Sequence, residues 1–320
     1  MKHLVPYIAI SLALAACSAA ASAAACDQAE FIEHVILDVP VQDGTEVMPG
    51  THFTKTWLVT NRGTCDWGDG YALVHSGGET FGAVEEQALP DVPAGEIVEI
   101  SLRMTAPDRA GEHAGEWLLR NPAGARFGVG ADGSQPLEAA LQVADLPAGV
   151  VYDFISMACL TRWDSARATF LPCEGEDDET GAFEGYVRVN DNPSLEGSTR
   201  ENPPVLEMKP DNQTNGFIFG AFPAITLAEG DRFVATVGCM DGNPGCKLNF
   251  IVKAQLADGS ELPLLEWAEE YDELSHEIAV DLSDLAGQEV SLVLMLRDND
   301  GRSLEAKGFW LNPRIERLAP

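Results

Sequence analysis

The sequence predicts an all-β protein built from two β-sandwich modules in tandem, and three observations carry that prediction. Short apolar stretches recur between turn residues such as Asp43-Gly44, Pro49-Gly50 and Ala94-Gly95, the spacing of strands and turns that marks a sandwich. Alternation has the strand period of two: Trp57 and Val59 share a face of one stretch, and Phe233, Ala235 and Val237 share a face of another. Helical periodicity is nearly absent, and its best candidate, residues 264–274, is short and reads as a loop between strands.

At 320 residues the chain is long enough for two domains. The break falls at Asp145-Leu-Pro-Ala-Gly149, where an apolar strand gives way to Pro and Gly. The first module is placed at 30–146, with strands at 31–39, 51–60, 71–75, 97–104, 115–120 and 137–143. The second is placed at 147–320, with strands at 150–155, 184–189, 216–220, 231–239, 247–255, 276–281, 290–297 and 307–317. That number of long strands suits a jelly-roll-type sandwich.

The first module also carries a pattern more specific than alternation. It comprises Pro49-Gly50, Phe53, Lys55-Thr-Trp57, Asn61, Gly63-Thr64, Trp67, Tyr71, Leu73, Pro93, Gly95, Ala106-Pro107, Gly111, Gly115, Trp117, Leu119 and Phe127-Gly128. In order and spacing this resembles the four-tryptophan (FW) Ig-like domain, first described in a selective-autophagy cargo receptor and widespread in secreted bacterial proteins. The resemblance covers residues 31–143. It implies an Ig-like β-sandwich that binds and does not catalyse, with Trp57, Trp67, Trp117 and Phe127 as structural motif positions. The chain departs from the family at the fourth Trp, where it has Val129-Gly-Ala-Asp-Gly133. In the second module, Gly308-Phe-Trp-Leu-Asn-Pro-Arg-Ile315 looks like the closing strand of galactose-binding-like jelly rolls. With Gly230-Asp-Arg-Phe233 and Asn215-Gly216, it resembles an uncharacterised module that accompanies FW domains in secreted proteins. For that half the resemblance implies a glycan as one class of ligand.

The N-terminus reads as an export signal. A basic start at Lys2-His3 precedes an apolar run over 4–16, too short to span a bilayer and of signal-peptide length. Leu14-Ala-Ala-Cys17 resembles a lipoprotein lipobox, which implies a signal peptide at 1–16, lipidation of Cys17 and a tether over 17–29. Cleavage at Ala23-Ala-Ala25 is the alternative. On either reading the chain is exported and meets a membrane at most through an N-terminal lipid. Leaving out Cys17, six cysteines remain, an even number that suits disulfides outside the cytoplasm. Only Cys26 and Cys65 fall in the first module, so they are expected to pair. Cys159–Cys173 and Cys239–Cys246 are the simplest pairings for the rest.

A net charge of −31 at pH 7 argues against nucleic acid as a partner, since backbone phosphates need Lys and Arg. No nucleophile elbow, zinc-protease helix or phosphate loop is present, and the expectation is that the protein is not an enzyme. The candidate ligand platforms are Trp163, between Cys159 and Cys173, and the pair Trp267 and Tyr271, in an acidic stretch that could turn helically and form a flat surface. No cofactor is expected. Asp298-Asn-Asp300-Gly is a candidate for a structural calcium loop, with a hairpin turn as the simpler reading. The function expected is that of an exported, lipid-anchored, non-catalytic surface binding protein for a protein or glycan ligand. The alternatives are a structural or assembly module without a small ligand, and an accessory-domain protein of a glycan-degrading system.

Overall fold

A computed structural model describes residues 26–36, 44–198, 201–299 and 304–318. Cys17, the signal peptide at 1–16, most of the tether and Asp300 lie outside the described residues. No helix among the described residues is long and apolar enough to cross a membrane.

The first module contains strands Ala29–Ile36 (β1), Glu46–Val47 (β2), His52–Asn61 (β3), Ala72–Gly78 (β4), Glu86–Ala88 (β5), Ile97–Thr105 (β6), Gly111–Arg120 (β7), Arg126–Phe127 (β8) and Leu137–Val143 (β9). A three-stranded sheet, β1-β3-β6, faces a six-stranded sheet ordered β2-β9-β7-β4-β5, with β8 beside β7. Strict alternation explains the pairing of faces: along β9, Leu137, Ala139, Leu141 and Val143 are buried while the residues between them are not. Trp57 and Trp117 meet across the sandwich with ring centroids 5.5 Å apart, and Trp67 stacks with Tyr71 and packs on Phe127. All four motif positions, Trp57, Trp67, Trp117 and Phe127, are buried. Two indoles are tied to the backbone: Trp57 Nε1 donates to the Glu138 carbonyl at 2.9 Å and Trp67 Nε1 to that of Cys26 at 3.2 Å. Cys26 is also bonded to Cys65. That closure needs Gly63, because a Cβ there would lie 1.9 Å from the Cys26 carbonyl oxygen.

The chain leaves β9 at Val143 and re-enters a strand at Val150. The second module follows with Val150–Asp153 (β10), Arg162–Ser165 (β11), Thr169–Leu171 (β12), Tyr186–Asn190 (β13), Val205–Lys209 (β14), Phe217–Ala221 (β15), Ile225–Thr226 (β16), Asp231–Cys239 (β17), Lys247–Leu256 (β18), Glu261–Glu270 (β19), His276–Asp281 (β20), Glu289–Asp298 (β21) and Gly308–Arg317 (β22). Its helices are short: Phe154–Met157 (α1) and Glu179–Glu184 (α2). One sheet runs β13-β14-β22-β17-β20 with β10 beside β22; the other runs β12-β11-β15-β21-β18-β19 with β16 beside β21. The chain is therefore all-β: an Ig-like sandwich followed by a jelly-roll-type sandwich.

Two segments correct the expectation. Of residues 264–274 only 271–274 form a loop; 264–270 are strand, because β19 pairs with β18 from Glu270 back to Glu261. Its acidic outer face looked like a loop because β19 is an edge strand, where charged side chains belong. β14 went unread because it carries Glu207 and Lys209 in a wholly buried strand. Both charges are satisfied locally. Glu207 accepts from Tyr186 Oη at 2.6 Å, from Asn190 Nδ2 at 2.7 Å and from the Arg188 guanidinium at 2.9 Å. Lys209 Nζ donates to the carbonyls of Ala182 and Pro210. Burial, reinforced by the Glu207 carboxylate, pushes the Tyr186 phenol far above its ordinary range, so it stays a donor at any working pH.

The two modules share packing. Met48 and Ala144 of the first belong to the core cluster of the second, and Leu160 packs against both cores. The His52 N–H donates to the Ala224 carbonyl at 2.7 Å. The His52 ring bridges Thr105 Oγ1 at 3.0 Å and Thr226 Oγ1 at 2.9 Å, while Arg103 and Glu289 form an ion pair across the same junction.

Candidate functional site

The junction leaves a cleft of about 730 Å³ between the modules. One wall comes from the start of β3 and from β6, with His52, Phe53, Thr54 and Arg103; the other comes from β11, β12, β15 and the start of β21. A concave site at a domain boundary, of a volume within the usual about 300–1,000 Å³, is where a protein most often holds a ligand.

The floor is rigid. Trp163, on β11, is wholly buried, packs edge-on to Phe222 with centroids 5.6 Å apart, and donates from Nε1 to the Ala158 carbonyl at 2.8 Å. Gly220 opposite has no room for a side chain, since its Cβ would lie 2.6 Å from the Trp163 ring. Trp163 therefore lies beneath the cleft and cannot serve as an open stacking surface. Its place between two cysteines suggested a loop, but β11 pairs with β15 and carries the ring inward.

The rim carries the exposed aromatic group. Phe170 is 65% exposed and sits at φ +58°, a region that side chains other than Gly seldom adopt. Such a conformation costs about 1–3 kcal/mol and persists where the surroundings impose it. Asp164 supplies part of that constraint. One of its oxygens accepts the Phe170 N–H at 2.9 Å, and the other accepts Arg162 Nε at 3.0 Å. The Arg162 guanidinium in turn lies 3.9 Å from the Phe170 ring centroid, within cation–π reach. A single carboxylate thus sets both members of an Arg–Phe stack, and the Cys159–Cys173 bridge closes the segment that bears them. Glu289 in the lining of the cleft and Asp164 on β11 are each engaged by an arginine, Arg103 and Arg162 respectively. The arrangement offers an aromatic face and a fringe of charged and hydroxyl donors, suited to recognition.

The bridge should contribute measurably. By chain entropy, a crosslink spanning 14 residues is worth about 3 kcal/mol. The Cys159→Ser/Cys173→Ser variant is expected to lose about that much in urea unfolding; an unchanged midpoint would show that the segment is held without it.

The other sequence-derived candidates fall elsewhere. Trp267 lies on β19, half-buried against the core, with Nε1 donating to Glu269 Oε2 at 2.7 Å. Tyr271 follows the end of that strand and donates from its hydroxyl to Asp241 Oδ1 at 2.9 Å. No helical turn links them, so the flat platform expected of the pair does not form. Asp298 is buried at the end of β21 and its N–H bonds the Gly216 carbonyl at 2.8 Å; its calcium-loop companion Asp300 is outside the described residues. Cys239 and Cys246 are bonded, which completes three disulfides among the described residues. Phe170, Arg162 and Asp164 had no signature in the sequence, since a left-handed Phe cannot be read from its neighbours.

Comparison with known proteins bears on the first module. Residues 40–134 match the family described as the Ig-like domain from next to BRCA1 gene, in keeping with the Ig-like sandwich of this module. Protein ILRUN of Danio rerio is 35% identical over 91 residues, covering 28% of this chain and 32% of that protein. Protein NBR1 homolog of Arabidopsis thaliana is 32% identical over 107 residues, 32% of this chain and 15% of that protein. The chain thus spans about a third or less of the length of these relatives. Among solved structures, a carbohydrate-binding module of the β-sandwich superfamily covers 92% of this chain and 99% of its own at 10% identity, with a TM-score of 0.34.

Proposed function

We propose that the protein is an exported, non-catalytic binding protein that takes a glycan in the cleft between its two sandwiches. The observation that carries the reading is the Phe170–Arg162 stack, an exposed ring held in a left-handed backbone at the rim of a cleft with a rigid floor. The ring face away from Arg162 suits the CH face of a pyranose, and Arg162 stands beside the ring as a partner for hydroxyls. Export is supported by the three disulfides, which persist in oxidising compartments. Anchoring at the cell surface through a lipid on Cys17 belongs to the same reading and rests on the lipobox-like Leu14-Ala-Ala-Cys17.

The test is an oligosaccharide array followed by calorimetry on the wild type and on Phe170→Gly. Gly accepts the positive φ without strain, so this variant removes the ring and keeps the backbone. Binding is expected to weaken about tenfold or more, a loss of about 1.4 kcal/mol or more, with an unchanged or slightly raised melting temperature. Equal affinity in the variant would remove Phe170 from the site. A wild type that binds no member of the array would overturn the glycan reading and favour a protein ligand.

A further inference from the structure

A second cluster of side chains lies away from the cleft, where the chain crosses between the two sheets of the second module. Glu269 stands on β19, in one sheet; His276 opens β20, in the other; Asp272 lies on the crossing. One ligand atom from each, a carboxylate oxygen of Glu269 and Asp272 and a ring nitrogen of His276, lie within 4.8 Å of one another. We propose that these three side chains bind a divalent cation of the zinc class.

The first support is how each carboxylate divides its oxygens. Glu269 gives Oε2 to the Trp267 indole N–H at 2.7 Å, and Asp272 gives Oδ1 to the Leu274 N–H at 2.9 Å. The oxygens left over, Glu269 Oε1 and Asp272 Oδ2, lie 3.7 Å and 3.9 Å from His276 Nε2. Those gaps exceed a hydrogen bond. They are close to the separation of two ligands on one tetrahedral ion, about 3.4 Å for bonds of about 2.1 Å. Glu269 is 3% exposed, yet its Oε1 accepts no hydrogen bond among the described residues. A carboxylate oxygen and an imidazole nitrogen that face each other beyond bonding distance form the arrangement that a cation between them would complete.

The second support is the shell behind these ligands. Glu196, itself 2% exposed, fixes the crossing from behind: Oε2 accepts the N–H groups of Asp272 at 3.1 Å and Glu273 at 3.3 Å, and Oε1 accepts that of Cys239 at 2.5 Å. The Trp267 ring lies 5.4 Å from the His276 ring and limits its orientation. Metal sites are held in this way, by outer partners that orient each ligand. One nitrogen and two oxygens favour Zn²⁺ or a neighbouring first-row ion over Ca²⁺, which takes only oxygens. His276 and Asp272 are partly exposed, so an ion has a path in and an open position toward solvent. A bound ion would strap the end of one sheet to the start of the other.

The site is tested by calorimetry of the full chain with zinc chloride in a non-chelating buffer at pH 7, with calcium chloride in parallel. The expected result is saturable binding of one zinc ion per chain. His276→Ala and Asp272→Asn are expected to weaken it about tenfold or more, and excess calcium is expected not to compete. Both substitutions fall at partly exposed positions, and circular dichroism confirms that the variants are folded. Glu269→Gln adds the buried ligand where it folds. Absence of stoichiometric zinc binding, affinity unchanged in His276→Ala, or displacement of zinc by equimolar calcium would each overturn the proposal. The last of these would assign the binding to the acidic surface at large.

Discussion

Trp163→Ala is expected to destabilise the protein by about 3–5 kcal/mol, the cost of truncating a wholly buried indole. The ring is 0% exposed, its N–H is bonded to the Ala158 carbonyl, and Gly220 packs where no Cβ fits. Alanine therefore leaves a cavity that the surrounding strands cannot fill without moving a pair of sheet neighbours. The cleft stands on this floor, so the same variant should also lose ligand. Binding and stability separate the two aromatic residues: Phe170→Gly should cost binding alone, and Trp163→Ala should cost both. Urea unfolding gives the stability term; a loss under about 0.5 kcal/mol, the level of a typical surface change, would mean that the ring is not the core residue described.

Glu207→Ala is expected to cost about 3–5 kcal/mol, as removal of one partner from a buried ionic cluster does. Glu207 is 2% exposed and is the shared acceptor of Tyr186, Arg188 and Asn190. Without it a buried phenol and a partly buried guanidinium lose their acceptor at once. The control is Tyr186→Phe/Arg188→Met/Glu207→Met, which removes the phenol, the guanidinium and the carboxylate together, replaces them with apolar volume and leaves only Asn190, at a half-buried position. That variant should recover most of the loss, because an apolar replacement of a buried ion pair is often neutral or stabilising. If the single and the triple variant are equally unstable, neither lost volume nor stranded partners explain the cost, and the polar network itself is what β14 requires.

Where a strand alternates between a buried and a solvated face, its limits were legible from the sequence. Leu137–Val143, Asp231–Cys239 and His276–Asp281 appear over the residues expected, because one face of each meets a core and the other does not. Trp57 and Trp117 of the first module were legible for the same reason, as inward positions of the two facing sheets. β14 was not, since its charged residues are buried by partners on another strand, and no local pattern records that Arg188 will face Glu207. β19 was mistaken for a loop because edge position, not intrinsic polarity, explains its acidic face. The candidate site was less legible than the fold. The large aromatics that drew attention, Trp163 and Trp267, are largely structural. The exposed ring is Phe170, whose conformation depends on an Asp164 contact and a disulfide that only the folded chain brings together.

The most direct measurement is a crystal structure of the full chain with the tightest-binding oligosaccharide of the array. The account predicts a pyranose ring stacked on the face of Phe170 opposite Arg162, with its hydroxyls within hydrogen-bond distance of the residues of the inter-module cleft. A sugar bound on either sandwich away from the junction, with the Phe170 ring left in solvent, would contradict it.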